Sequence, residues 1–283
     1  MITITAAGYE LVLVPEIGGS IARFGHGGRA ILRGSEAPAS PLDCGSFPLV
    51  PYCNRIRDGR FTFRGRTVSI AANMAGDPSP LHGDGWLAPW TVEEQTSQGA
   101  TLVYRHEAGE WPWAYEARQV FSLGEQGLEA QIACTNRSGE PMPCGLGFHP
   151  YFPCDGATII ETAVERVWEV DELILPTGIA PATGRYALDG TRACARGLDN
   201  GYGGWNGEML LRYGDGRVTR MASPDVTFFQ IYSPDSGGLL AAEPVSHANA
   251  ALNESEERWA ELGLRVLEPG ETARLRMRLQ LHF

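Results

Sequence analysis

Arg274-Leu275-Arg276-Met277-Arg278-Leu279-Gln280-Leu281 alternates without a break between long polar and apolar side chains. Successive side chains of a β-strand point to opposite faces, so the three arginines and the glutamine share one face, and leucine and methionine the other. This is the pattern of an antiparallel sheet with one face on a core and one in water. The same period of two marks residues 2–5, 10–14, 61–63, 101–104, 128–134, 209–213 and 227–232. Gly and Pro punctuate these runs, as in Gly18-Gly19, Gly27-Gly28, Asp58-Gly59 and Pro269-Gly270. Leu210 to Val218, broken in phase only at Gly214, reads as a hairpin. Short strands with frequent turns predict packed sheets rather than βα units. The expected fold is all-β, a large antiparallel β-sandwich forming a single domain over 1–283, with one or two short helices. One helix is expected over 254–262, capped by Asn253 with Glu256 completing a capping box. Residues 34–48 read as a loop.

The chain has 283 residues and a net charge of −11, with no basic cluster, which argues against nucleic acid and against a polybasic membrane surface as partners. All 23 basic residues are Arg. The absence of Lys excludes Schiff-base chemistry and a Walker-type phosphate loop from this chain. The opening Met1-Ile-Thr-Ile-Thr-Ala-Ala-Gly-Tyr-Glu-Leu-Val-Leu-Val-Pro15 alternates, and so reads as a strand rather than a signal peptide. No apolar run approaches the ~20 residues that span a bilayer, and a cytoplasmic location is expected. Cys44, Cys53, Cys134, Cys144, Cys154 and Cys194 form no CxxC pair and have no His at zinc-ligand spacing, so free thiols and no metal site are expected.

A general acid near neutral pH is most easily a histidine, and the chain has six. His149 lies in Gly145-Leu-Gly-Phe-His-Pro-Tyr-Phe152, where Pro150 favours an extended backbone and the aromatic neighbours would desolvate the ring and lower its pKa. The competing local reading is a hydrogen-bonded core histidine. His82, in Pro80-Leu-His-Gly-Asp-Gly-Trp86, has the composition of a sugar site, where a ring stacks on a pyranose and a polar group meets a hydroxyl; an exposed turn histidine fits equally. Glu243 ends the apolar run Leu239-Leu-Ala-Ala-Glu-Pro244, so partial burial should make it a better base; a salt-bridged strand end is the alternative. Asn54-Arg55 offers a planar guanidinium for paired hydroxyls, or a surface ion pair with Asp58. Asp199, in Leu198-Asp-Asn-Gly-Tyr-Gly-Gly-Trp205, could accept sugar hydroxyls or organise an Asx turn. His26 reads as a hairpin-turn residue, and His106, His247 and His282 as surface or strand residues, none with a catalytic role.

Taken together these residues resemble the aldose 1-epimerase (galactose mutarotase) family. The matching stretches are PYCNRIRDGRF (51–61), LHGDGW (81–86), GFHPYF (147–152), LDNGYGGW (198–205) and AAEPVSHANAALN (241–253), with LEPGETARLRMRL (267–279) fitting the closing strands. Each is weak alone; their shared order over nearly the whole chain is specific. The resemblance implies a galactose mutarotase-like supersandwich with a sugar cleft across one sheet. It implies Glu243 as general base and His149 as general acid, with Arg55, His82, Asp199 and Asn54 binding the sugar and Tyr151, Trp86 and Trp205 stacking on it. It implies a monosaccharide as partner; anomerisation of a cyclic hemiacetal needs no cofactor, and a monomer or homodimer is expected. The Gly-rich 198–205 loop and the short chain look more like the bacterial epimerase-related branch. Phosphosugar specificity would need extra cations at the cleft, and Arg57 and Arg60 are near in sequence. A non-catalytic sugar-binding protein and a two-carboxylate glycoside hydrolase are the rival readings.

Overall fold

The computed structural model describes residues 1–282. The chain folds into two large antiparallel sheets, a four-stranded N-terminal sheet and two small ribbons. Strand Thr272–His282 lies at the centre of the nine-stranded sheet, between Gly127–Asn136 and Val218–Ala222. Its burial alternates as its sequence does: Ala273, Leu275, Met277, Leu279 and Leu281 are buried. On the outer face Arg276 meets Asp225 and Arg278 meets Glu129. Register pairs Leu275 with Ile132 and Leu279 with both Leu128 and Met221, so one apolar row crosses the sheet.

The eight-stranded sheet runs Pro176–Pro181, Arg166–Val170, Leu198–Gly203, Phe228–Ser233, Leu239–Val245, Gly147–Phe148 and Pro48–Leu49, with Tyr151–Pro153 also pairing Leu239–Val245. Its inward residues Tyr202, Phe229, Ile231, Leu240 and Ala242 join Leu275, Met277 and Leu279 of the other sheet in one hydrophobic cluster. The two layers of a sandwich thereby share a core. Burying a Leu or Phe side chain contributes roughly 1.5–3 kcal/mol, so this shared cluster holds the layers together. All six cysteines are buried and free.

Each of the eight stretches read as strands coincides with a strand, Tyr213 and Thr227 lying just outside theirs, and Glu208–Arg212 and Val218–Ala222 form the expected hairpin, closed by Tyr213 N–H to the Arg217 carbonyl. The helix departs from expectation. A 3₁₀ turn occupies Ala251–Asn253, and the α-helix is only Glu256–Trp259, with Ser255 at its N-cap. Asn253 and Glu256 are drawn away from capping. The Asn253 side chain accepts the Arg57 N–H (2.7 Å) and donates to the Arg60 carbonyl (2.7 Å), and Glu256 Oε1 accepts the Arg64 N–H (2.6 Å). Tertiary partners won over a local cap. Residues 34–48 are mostly irregular, broken by a 3₁₀ turn at Pro41–Asp43 and closed by strand Pro48–Leu49.

Candidate active site

Strand Leu239–Val245 lies inside the eight-stranded sheet and is buried along nearly its whole length. Gly147 pairs with Val245, and Tyr151 pairs with Ala241. Counting inward from both ends brings His149 opposite Glu243. Cross-strand partners share a face, so the two side chains meet although 94 positions separate their numbers (243 less 149). His149 Nε2 lies 3.2 Å from Glu243 Oε1. The row continues to both sides. The His149 N–H donates to the Phe47 carbonyl, Gln230 pairs with Glu243, and Gly201 pairs with Gln230. One face of the sheet thus presents Phe47, His149, Glu243 and Gln230 side by side, with Asp199 beside them, its Oδ1 accepting Gln230 Nε2–H (2.7 Å).

Phe47 stacks on the His149 ring (centroids 4.5 Å), and Tyr151 packs at 4.6 Å from it. His149 is 8% exposed and Glu243 2%. Burial favours the neutral form of each. It pulls the imidazole down to about 3, with the Arg33 charge acting the same way. It pushes the carboxyl well above its usual range, aided by the Asp199 charge and opposed by Arg55. Asp199 is also raised by burial, against Arg55 and the Gln230 hydrogen bond. Glu243 Oε2 and His149 Nδ1 are buried without a hydrogen-bond partner.

A second wall comes from residues 53–57, whose backbone is held by distant side chains. Cys53 N–H donates to His247 Nε2 (2.9 Å), Asn54 N–H to His82 Nδ1 (3.1 Å), Arg55 N–H to Asn249 Oδ1 (3.2 Å) and Arg57 N–H to Asn253 Oδ1. Accepting at Nδ1 puts the His82 hydrogen on Nε2. Burial holds His82 well below the usual histidine range, with His149 and Arg55 adding to the effect. His82 has a left-handed backbone (φ 62°), and so does Gly83 (φ 73°), where a Cβ would lie 2.1 Å from the Val50 carbonyl oxygen. The His82 ring meets His149 edge-on at 5.4 Å. Arg55 Nε pairs with Asp77 Oδ2 at 2.8 Å, and Nη1 donates to Asn54 Oδ1.

The site therefore gathers Glu243, His149, His82, Arg55, Asn54 and Asp199, with Tyr151 at its edge. It does not gather the two tryptophans. Trp205 is a core residue, 2% exposed, its ring stacked on Phe229 (4.4 Å) and its N–H on Thr162 Oγ1 (2.7 Å). Trp86 is sealed beneath Phe47 (5.2 Å), its N–H shared by the Leu81 and Gly83 carbonyls. Neither can offer a ring face to a ligand. Arg55 pairs with Asp77, and Asp58 is exposed. His247 is no surface or strand residue. It is buried between Cys53 N–H and the Ala248 carbonyl, against Gly145, where a Cβ would come 2.0 Å from its ring. Sequence reading missed Gln230, Phe47, Asp77 and Asn249. Only Gln230 left a signal, as the lone polar side chain with Phe228, Phe229, Ile231 and Tyr232 around it.

Among the described residues no group of three or more His, Cys, Asp or Glu is arranged to hold a metal ion, and no helix is long and apolar enough to cross a membrane. The site's capacity is proton transfer between a buried acid and a buried base, beside groups that hydrogen-bond hydroxyls.

Fold and site together define a galactose mutarotase-like β-sandwich. A solved structure of a galactose mutarotase-like protein from Clostridium acetobutylicum superposes with a TM-score of 0.88 at 19% identity, covering 99% of this chain and 94% of that one. One of a candidate aldose 1-epimerase from Escherichia coli K12 gives 0.91 at 28% identity, covering 99% and 98%. The uncharacterized Escherichia coli K12 protein YphB is 29% identical over 95% of each chain. The sequence matches the aldose 1-epimerase family over residues 1–280, and the chain belongs to that family.

Proposed function

We propose that the protein is an aldose 1-epimerase that interconverts the α and β anomers of a free aldose, with Glu243 and His149 moving the protons. The observation that carries this reading is the cross-strand pair, 3.2 Å apart, with Glu243 Oε2 left without a partner. Family membership supports it.

Burial disfavours charge on either group, so the empty pair holds one proton, as carboxylic acid and imidazole. A sugar seated with its anomeric hydroxyl at Glu243 and its ring oxygen at His149 needs that proton on the imidazole. The proton crosses the Oε1–Nε2 contact, and Arg55 supports the carboxylate left behind. Glu243 then takes the O1 proton while His149 gives its proton to O5. The C1–O5 bond breaks, C1=O1 forms, and the pair is again carboxylic acid and imidazole. Rotation about C1–C2 presents the other carbonyl face. On closure O5 attacks C1, His149 takes the O5 proton and Glu243 protonates O1. Arg55, His82, Asn54, Asp199 and Gln230 hold the remaining hydroxyls so that the open chain stays in register.

Polarimetry on freshly dissolved α-glucose, α-galactose, arabinose and xylose tests this reading. Accelerated mutarotation of at least one sugar is expected. The rate should fall as pH rises through the raised pKa of Glu243, where the pair loses its single proton. Sugar affinity with no acceleration would make the protein a binder, and cleavage of a disaccharide would make it a hydrolase; either outcome contradicts the proposal.

A further inference from the structure

We propose that Asp77 determines specificity: by neutralising Arg55 it keeps the cleft selective for uncharged sugars over phosphorylated or carboxylated ones. This rests on the sugar-site reading above.

The chain from Ala71 to Gly76 is exposed or half-exposed, yet Asp77 turns inward. Its side chain and that of Arg55 are each 10% exposed, and Arg55 Nε lies 2.8 Å from Asp77 Oδ2. The other oxygen accepts the Ser79 N–H at 2.9 Å, so both carboxylate oxygens are fixed. Arg55 is fixed independently. Its backbone N–H is on Asn249 and its Nη1 on Asn54, and the adjoining amides of Cys53, Asn54 and Arg57 sit on His247, His82 and Asn253. Besides Asp77, the guanidinium has Asn54 as a partner and the backbone beneath it is held by four side chains, so its placement does not depend on Asp77 alone. The distinct contribution of Asp77 is charge.

Arg55 is the cation whose charge reaches His82, Asp199 and Glu243. Alone, it would attract a phosphate or carboxylate on the sugar. With Asp77 on it, and Asp199 and Glu243 nearby, an anionic substituent meets a compensated cation among carboxyl groups. Such a partly buried arrangement costs an added anion much more than it would in water. Two other arginines lie near the site with no carboxylate partner among the described residues, and the Arg33 charge reaches His149, so Asp77 governs the charge of Arg55 alone. Arg33 lies over the Tyr151 ring with its guanidinium on the Leu42 carbonyl, and Arg57 donates to the Pro176 carbonyl.

The test compares calorimetric affinities for glucose and glucose 6-phosphate, and for galactose and galacturonate, in wild type and Asp77→Asn. The amide keeps the shape and an acceptor oxygen while removing the charge. Wild type should prefer the neutral sugar, and Asp77→Asn should shift the ratio toward the anionic sugar by about tenfold, a size set by one uncompensated charge at partly screened range. Adding Arg55→Gln to that background should abolish the gain. Asp77→Ser serves if the amide variant does not fold. A ratio changed less than about twofold, a gain that survives Arg55→Gln, or a wild type preferring the anionic sugar would overturn the inference. Wild type that binds aldose, with the ratio unchanged in Asp77→Asn, defeats this inference alone; wild type that binds none of the four sugars defeats the functional reading with it.

Discussion

At the scale of the residue, burial does the electrostatic work of this protein. His149 and His247 are both neutral inside the fold, lowered by burial to about 3 and about 4. His247 is fully committed, its Nε2 accepting the Cys53 N–H and its Nδ1 donating to the Ala248 carbonyl. A histidine whose folded pKa lies below its ordinary 6.5 binds its proton more readily in the unfolded chain. Its contribution to stability is present above pH 6.5 and is lost as pH falls toward the folded value. For His247 the displacement from 6.5 to about 4 corresponds to about 3 kcal/mol. The melting temperature should therefore drop between pH 6.5 and 4, and His247→Gln should flatten that drop; equal slopes in the two proteins would refute the assignment. The desolvation of His149 was legible in its aromatic neighbours, whereas the burial of His247 was not. The alternatives at His149, a catalytic or a core histidine, could not be separated locally, because the ring is buried in either case. What separates them is the residue across the strand, and register is not a local property.

At the scale of the element, the segment carrying His82 is tied to the nine-stranded sheet through Asp84. Asp84 Oδ2 lies 2.5 Å from His106 Nδ1 and accepts the Tyr104 hydroxyl at 2.7 Å, while Oδ1 accepts the Tyr115 hydroxyl. His106 Nε2 faces the Trp111 carbonyl at 2.9 Å, so both ring nitrogens point at acceptors and the imidazolium satisfies both. Burial alone would lower the His106 pKa; the hydrogen bond and charge of Asp84, with the carbonyl, reverse it and raise it. Burial would raise Asp84, but His106 and the two hydroxyls hold it down. The sign is opposite to that of His247. This stabilisation is complete below pH 6.5 and lost as pH rises through the raised histidine value. Amide exchange of residues 81–86, corrected for intrinsic rates, should show weaker protection at pH 9 than at pH 6, and His106→Gln should remove the difference. Protection independent of pH in wild type would contradict the clamp. The strands themselves were legible because alternation is written into each one; the helix was not, because Asn253 and Glu256 serve backbone amides of residues 57 and 64 instead of their own.

At the scale of the molecule, the two sheets share one apolar cluster, so unfolding should be a single cooperative event. Leu275→Ala, at the buried centre of Thr272–His282, should cost about 2–5 kcal/mol, and tryptophan fluorescence and far-ultraviolet circular dichroism should still report one coincident transition. Separate transitions would mean that the layers fold independently. The all-β architecture followed from sequence because outward arginines and inward leucines repeat every second residue. The mistaken stacking roles of Trp86 and Trp205 arose at this scale. A tryptophan beside glycines reads the same whether it faces a ligand or the inside of the sandwich, and only the packing of Phe47 and Phe229 decides.

In the proposed mechanism Glu243, across from His149, moves the proton whose transfer opens the sugar ring. Two-dimensional exchange NMR on an equilibrated aldose measures this directly, because anomers that interconvert on the enzyme give cross-peaks between their anomeric protons. Wild type should produce those cross-peaks at catalytic concentration. Glu243→Gln, folded by circular dichroism, should lower the exchange rate by roughly 10²–10⁴-fold, the usual worth of one positioned proton-transfer group. A Glu243→Gln protein that exchanges anomers at the wild-type rate would contradict the account.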